Sequence, residues 1–172
     1  MTSTPFTYRL EQPADGSTID RFHAELFGPE RHKRAAYVLR DGVPADPDLC
    51  FVADAGERLI ASVRMTPIVI GGRPALLLGP LVVDPEFKGQ GAGRTLVRLA
   101  CDAARQRGHG VVMLVGDLPY YGPLGFTFLG RGVITLPAWV DPDRVLLRGL
   151  ADGALDGLSG PAERVLQAAE RR

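Results

Sequence analysis

A buried strand that runs through a glycine-rich turn into an amphipathic helix constrains this chain more than any other feature. The continuous apolar run Ala75–Val83 is typical of a strand that is covered on both faces. Three glycines follow within the next ten residues, at Gly89, Gly91 and Gly93. Beyond them apolar residues recur at helical spacing up to Gly108, which ends the helix. The chain must therefore place a helix N-terminus just after the end of a central strand.

The turn has the chemistry of an anion site. The first N–H groups of a helix have no partner within the helix, and the helix dipole adds partial positive charge at that end. The three glycines carry no side chain that would keep a pyrophosphate away from the backbone, and Lys88 and Arg94 add positive charge. The alternative is a glycine-rich connection between strand and helix that holds no ligand.

Two familiar nucleotide-binding turns fit this segment less well. A Walker loop requires Gly-Lys followed by Ser or Thr after its glycines, and that sequence is absent here. A Rossmann turn requires Gly-x-Gly-x-x-Gly near the first strand, whereas Gly89, Gly91 and Gly93 have another spacing. A protein that binds the phosphates of a nucleotide with this same turn remains an alternative.

The order of the predicted elements indicates a mixed sheet. Strands at Leu49–Ala53, Leu59–Ile70 and Ala75–Val83 are joined by tight turns and are therefore antiparallel. The helix that starts at Gly91 is a crossover to a strand at Val111–Val115, so we expect that strand to run parallel to Ala75–Val83. The fold class that follows is α/β (α+β), with helices packed on a mixed, mostly antiparallel sheet.

Further elements are predicted on both sides of this sheet. A strand is expected at Phe6–Leu10, and helices are expected after a Ser17 cap, at Glu30–Arg40 and at Pro161–Arg172. Another strand is expected at Val145–Leu150. Because no repeat or long linker divides the sequence, we expect a single domain over residues 1–172.

Composition excludes several classes of protein. Lys and Arg number 20, and Asp and Glu also number 20, so no net charge attracts nucleic acid or an anionic membrane. No apolar run approaches the ~20 residues that span a bilayer, and we expect no signal peptide. Cys50 and Cys101 form neither a disulfide framework nor a zinc site. We therefore expect a cytoplasmic protein with no metal and no nucleic-acid or membrane partner.

Two motifs resemble those of the GNAT acetyltransferases. Lys88–Gly93 (KGQGAG) is similar to motif A of that family, Gln/Arg-x-x-Gly-x-Gly/Ala, with Lys88 where Gln or Arg is usual. Tyr120–Phe126 (YYGPLGF) is similar to the family's aromatic-Tyr-x-x-x-Gly-Phe segment. One helix and one strand separate the two motifs, as in the family. The resemblance is best over Asp48–Leu129. Within the family, the chain also looks like a bacterial branch of predicted acetyltransferases.

The resemblance implies that the chain binds acetyl-CoA. In the family the glycine-rich turn holds the pyrophosphate, and the preceding strand pairs with the pantetheine arm like an extra strand. The residues so implied in cofactor binding are Leu81, Val82, Val83, Lys88, Gly89, Gln90, Gly91, Ala92, Gly93 and Arg94. The resemblance also implies a sheet that splays between its two parallel central strands, and family members are often homodimers.

Acetyl transfer in the family is direct, so it requires a polarised thioester and a proton for the leaving thiolate. Tyr121 stands where the family's general acid stands and is expected to be the catalytic acid. Gly79-Pro80 should interrupt the central strand, because proline donates no ladder hydrogen bond. The N–H of Leu81 or Val82 would then polarise the thioester. A Tyr121 that only packs, and a plain bulge, are the alternatives.

No residue stands out as a general base. The strand Ala75–Val83 contains no Asp or Glu. His23, Glu25 and His32 are expected near the acceptor side, and each is also explained as a surface or helix-face residue. Water, or an amine that arrives neutral, would serve equally well.

The sequence thus predicts an N-acetyltransferase that moves acetyl from acetyl-CoA to a primary amine of a small molecule or protein. The alternative is a CoA-binding sensor or scaffold that transfers nothing, because the central strand lacks a carboxylate base. The basic run Arg31–Arg34 either binds an acidic acceptor or forms a solvated helix face. Trp139 belongs either to the core or to the wall of the acceptor pocket.

Overall fold

A mixed sheet of nine strands organises the protein, and the computed structural model describes residues 5–166 of the chain. The strands are β1 (Phe6–Leu10), β2 (Phe51–Ala55), β3 (Arg58–Ile70), β4 (Arg73–Val83), β5 (Val111–Val115), β6 (Thr127–Phe128), β7 (Ile134–Thr135), β8 (Val145–Gly149) and β9 (Gly160–Arg164). The α-helices are α1 (Gly16–Phe27), α2 (Ala35–Arg40), α3 (Ala92–Gln106) and α4 (Leu118–Tyr121). Hydrogen-bonded neighbours follow the order β1-β2-β3-β4-β5-β8-β6, and β9 pairs with both β3 and β7.

The predicted splay between two parallel central strands is confirmed. The crossover through α3 makes β4 and β5 parallel, while the other neighbours in this order are antiparallel. β4 and β5 pair only at Leu76↔Val112 and Leu77↔Met113. β5 pairs with β8 along its whole length. The two central strands therefore separate beyond Leu77 and leave a gap in the sheet.

A bulge in β4 lies directly beyond the last β4–β5 pair. Val63 of β3 faces Leu81, while Met65 faces Leu78, so β4 carries one extra residue between these pairs. This is the interruption that Gly79-Pro80 predicted. Gly79 has a φ of 132°, a conformation that L side chains rarely adopt. The bulge thus forms where only glycine fits, at the start of the gap.

Helices cover both faces of the sheet beside this gap. Successive side chains of a strand point to opposite faces. Leu76 of β4 accordingly packs in one buried cluster with Leu96 of α3, and Leu77 packs in another with Leu39 of α2. Within residues 5–166 no helix is long and apolar enough to cross a membrane.

Two predicted helices are wrong in part. Glu30–Arg40 is not one helix, because Pro29–Lys33 form a 3₁₀ turn and Arg34 is extended before α2. The helix predicted for Pro161–Arg172 is contradicted at its start by β9, which pairs with the second half of β3 at Ile68–Ile70. Residues 167–172 of that prediction lie outside the described residues. In the first case a local break at Arg34 interrupts the predicted helix. In the second, pairing with β3 overrides the helical pattern of the sequence.

Candidate active site

A cleft of about 1350 Å³ occupies the gap between β4 and β5. β4 lines it from Leu78 to Val83, and the glycine-rich turn continues the same wall. The end of β5 and α4 line the opposite side, while residues of α1, α2 and the segment 139–144 enclose its ends. Every residue predicted to bind the cofactor lines this cleft, from Leu81–Val83 to Lys88–Arg94, and so does Tyr121.

The turn presents a row of unused backbone N–H groups. Gly89 and Gly91 have φ values of 78° and 90°, so both are conformations that favour glycine. The first helical bond of α3 is donated by Thr95 N to Gly91 O at 3.0 Å, and no side chain caps the helix. Within the described chain the N–H groups of residues 89–94 donate no hydrogen bond. This cradle fits a pyrophosphate, because bare amides and the helix dipole face an open surface.

A buried carboxylate fixes the end of β4 just before the turn. Asp84 is 7% exposed, and its side chain accepts a hydrogen bond from Glu86 N at 3.0 Å. Arg58 Nη2 donates to Asp84 Oδ2 at 2.7 Å. The backbone N–H of Asp84 donates to Ile60 O at 2.7 Å, which ties the same residue to β3. The turn therefore starts from a rigid point.

The start of α3 approaches α4 closely. A Cβ added at Gly93 would lie 2.8 Å from the hydroxyl oxygen of Tyr120 and 3.3 Å from Cγ2 of Val83. The guanidinium of Arg94 lies over the Tyr120 ring, with Cζ 5.5 Å from the ring centroid. Gly93 is thus the residue that lets helix, strand and α4 meet, and Tyr120 packs against the start of α3.

Tyr121 lies in an aromatic cluster at the end of β5. Its ring centroid is 4.8 Å from that of Tyr120 and 5.8 Å from that of Phe126. Gly116 makes this position accessible, because any Cβ there would overlap the Tyr121 ring. Burial, followed by the neighbouring Tyr120 and Asp117, raises the pKa of the Tyr121 phenol. The phenol is therefore protonated at neutral pH, which is the state of a proton donor.

The other titratable candidates lie outside the cleft. His23 is buried on α1, and burial lowers the pKa of its imidazole to about 4. Glu25 and His32 are exposed, and neither lines the cleft. Cys50 and Cys101 are buried, and burial raises the pKa of each thiol to about 11. None of these five side chains is placed to act on a substrate in the cleft.

Of two further cleft residues, the sequence left one open and gave no sign of the other. Trp139 is 86% exposed and lines the cleft, so it belongs to the wall and not to the core. Arg40, the last residue of α2, also lines the cleft and lies over the bulge at Gly79. No sequence signal marks Arg40, because its position depends on how α2 packs on the sheet.

Known proteins with the same architecture bind CoA. YhbS of Escherichia coli, an uncharacterized N-acetyltransferase, is 28% identical over 158 residues, which are 90% of this chain and 93% of that protein. The structure of YhbS in complex with CoA has a TM-score of 0.79 at 25% identity and covers 99% of this chain and 95% of that one. A GNAT family acetyltransferase of Brucella melitensis in complex with acetyl-CoA has a TM-score of 0.60 at 25% identity, over 73% of this chain and 84% of that one.

A further relative and the sequence model of a whole family agree with these two proteins. YjhQ of E. coli, another uncharacterized N-acetyltransferase, is 28% identical over 130 residues, which are 73% of this chain and 72% of that protein. The sequence model of the acetyltransferase (GNAT) family matches residues 17–126, from α1 through the second motif. The chain therefore belongs to the GNAT acetyltransferases, a family that uses acetyl-CoA.

Proposed function

We propose that the protein transfers the acetyl group of acetyl-CoA directly to a primary amine of a small molecule or protein. The observation that carries this proposal is the single cleft along which the glycine-rich turn, the end of β4 and Tyr121 lie together. The CoA and acetyl-CoA complexes of the two related acetyltransferases support it. When bound, acetyl-CoA would supply an activated acyl group in the gap between β4 and β5.

The chain would hold this cofactor mainly with its backbone. The amides of residues 89–94 would bind the pyrophosphate, and Lys88 and Arg94 would add positive charge at the rim. Leu81–Val83 belong to the part of β4 that has no partner in β5, so this edge is free to pair with the pantetheine arm. Backbone contacts of this kind fix position without requiring particular side chains.

Two groups of the chain would act on the reacting atoms. The N–H of Leu81 or Val82, just beyond the bulge, would polarise the thioester carbonyl. Tyr121, which burial keeps protonated, would give its proton to the departing sulfur. Since none of the candidate bases lines the cleft, the amine would arrive neutral or lose its proton to water.

The test begins with calorimetric titration of acetyl-CoA, with ATP and NAD as controls, followed by a screen of amines. Tyr121→Phe should lower kcat by about 100-fold, the lower end of what general acid catalysis contributes. The dissociation constant of acetyl-CoA should stay the same. Tyr8→Phe, on β1, is the matched control and should behave as wild type.

The second candidate function is a CoA-binding sensor or scaffold. The absence of His23, Glu25 and His32 from the cleft favours it. The two carboxylates that do line the cleft already have partners, since Asp117 is bound by Arg144 and Asp141 accepts a hydrogen bond from Asp143 N. It predicts tight binding of acetyl-CoA and no acetylation of any amine tested. Tyr121→Phe should then change neither the binding of acetyl-CoA nor its turnover. Binding of ATP or NAD in preference to acetyl-CoA would contradict both functions.

A further inference from the structure

An arginine with no counterion lies beside the bulge of β4. A Cβ added at Gly79 would lie 2.6 Å from Nη2 of Arg40 and 3.9 Å from N of Leu81. The guanidinium and this backbone amide therefore both lie close to one point in the cleft. That point is on the face of the sheet covered by α2, next to the amide proposed to polarise the thioester.

Nothing in residues 5–166 pairs with the Arg40 guanidinium. No hydrogen bond or ion pair reaches it, and its Nε is buried without a partner. The ring of Tyr37 lies 5.1 Å from Cζ, and the Tyr37 hydroxyl is also buried without a partner. Burial lowers the pKa of Arg40 to about 10, with a further contribution from Arg64, so the group is still a cation at neutral pH.

The carboxylates that line the cleft or adjoin Arg40 in the chain already have partners. Asp41 is bound by Arg164 at 3.7 Å, and Asp141 accepts a hydrogen bond from Asp143 N at 3.0 Å. Asp117, which lines the cleft beside α4, is bound by Arg144 at 3.1 Å. A buried charge without a counterion is costly, so a group that supplies the missing negative charge would bind here favourably. The planar fork of N–H donors suits a carboxylate, which can accept two parallel hydrogen bonds.

The anion is not expected to come from acetyl-CoA. Its pyrophosphate fits the glycine-rich turn, and the strand segment Leu81–Val83 separates that turn from the bulge. Its thioester carbonyl is uncharged and has a backbone amide available. The remaining source is the acceptor, which must place its amine beside the same amide.

Resting on the proposed function, we propose that Arg40 binds a carboxylate of the acceptor, and that the acceptor is an amino-acid-like amine whose carboxylate lies close to the amine that is acetylated. Tyr37 supports the guanidinium with its ring. Arg40 is thus a specificity-determining residue. A lysine side chain within a protein, which has no carboxylate next to its amine, would be a poor acceptor.

The experiment compares the common L-amino acids with the same compounds as carboxamides, with acetylated products measured by mass spectrometry. For the best acceptor, kcat/KM of the acid should exceed that of its carboxamide by about 100-fold, as for loss of one partner of a buried charge pair. Arg40→Gln should bring this ratio close to one, mainly by raising KM of the acid. Arg40→Lys, which keeps the charge and loses the fork, should give an intermediate ratio.

Controls separate this role from folding and from the cofactor. Arg40→Gln should leave the dissociation constant of acetyl-CoA unchanged and should lower kcat/KM for the acids far more than for the carboxamides. Arg98→Gln, an exposed change on α3 away from the cleft, should leave the ratio as in wild type. A wild-type ratio near one, an equal loss on acids and amides in Arg40→Gln, or weaker acetyl-CoA binding would overturn the proposal.

If the protein binds acetyl-CoA but acetylates neither panel, the wider screen of amines tests the proposed function, and a binding measurement still tests this site. The CoA-loaded protein would then be titrated with the N-acetylated acids and their amides. Preference for the acids that disappears in Arg40→Gln supports the carboxylate site. Equal binding, or no binding of either set, overturns it.

Discussion

Replacing Gly93 by alanine should separate cofactor binding from stability. The new Cβ would lie 2.8 Å from the Tyr120 hydroxyl oxygen and 3.3 Å from Cγ2 of Val83, and so would fill the space between α3 and the edge of β4. Alanine is favoured over glycine within a helix by about 1 kcal/mol. The clash is with the end of the Tyr120 side chain. Moving that side chain costs a similar free energy, which offsets the gain in helix propensity. We therefore expect the free energy of unfolding to change by less than about 1 kcal/mol.

The affinity for CoA should fall much further. In the proposed complex the added Cβ, beside Val83, would crowd the pantetheine arm and would hold the pyrophosphate away from the amides of the turn. Losing two hydrogen bonds to a charged group, at roughly 1.5 kcal/mol each, weakens binding by about 100-fold. Trp139, the single tryptophan of the chain, is exposed on the cleft wall and reports binding by its fluorescence.

Gly108→Ala is the matched control with the opposite outcome. Gly108 follows α3 with a φ of 85°, and a Cβ there would meet no atom within 4 Å. Alanine in that conformation costs about 1–2 kcal/mol of stability and should leave CoA binding unchanged. The reasoning is refuted if Gly93→Ala binds CoA as tightly as wild type, or lowers Tm as much as Gly108→Ala does.

The buried titratable side chains give three more tests. Because burial raises the pKa of Tyr121, kcat should not fall on the alkaline side up to about pH 10; a fall centred near pH 9 would contradict its role. Burial lowers the pKa of His23 from 6.5 to about 4, so the unfolded chain binds the extra proton and stability is lost as pH falls from 6.5 towards 4. His23→Gln should flatten this loss in Tm measurements, and an unchanged slope would show that another group causes it. Iodoacetamide should label Cys50 and Cys101 no faster than the protein opens, because burial raises both thiol pKa values to about 11; rapid inactivation would argue against direct transfer.

Local patterns were enough to predict the part of the fold that builds the site. The apolar run of β4, the positive-φ glycines and the helical period of α3 each depend on neighbouring residues only. The interruption at Gly79-Pro80 could also be predicted, since proline lacks the N–H that a central strand needs. The two motifs then indicated that turn and Tyr121 would face the same cleft, and the structure places them there.

Elements that depend on distant partners could not be predicted in this way. β9 is a strand because the second half of β3 lies beyond β2 and has an open edge, at Ile68–Ile70, that residues 162–164 can pair with. Arg40 is near Gly79 only because Leu39 anchors α2 on the opposite face of the sheet from α3. Neither fact leaves a periodic or compositional trace in the sequence.

The brief pairing of β4 with β5 also bears on how long the chain survives in a cell. With only two register pairs between them, these strands are expected to separate locally at low cost, and such opening exposes backbone to proteases and to hydrogen exchange. A donor molecule lying along β4 would bridge that seam, and at 100 times its dissociation constant would add about 2.7 kcal/mol to the folded state. The acyl donor would then be a structural component as well as a reagent, so the lifetime of the protein is expected to follow the supply of its own cofactor.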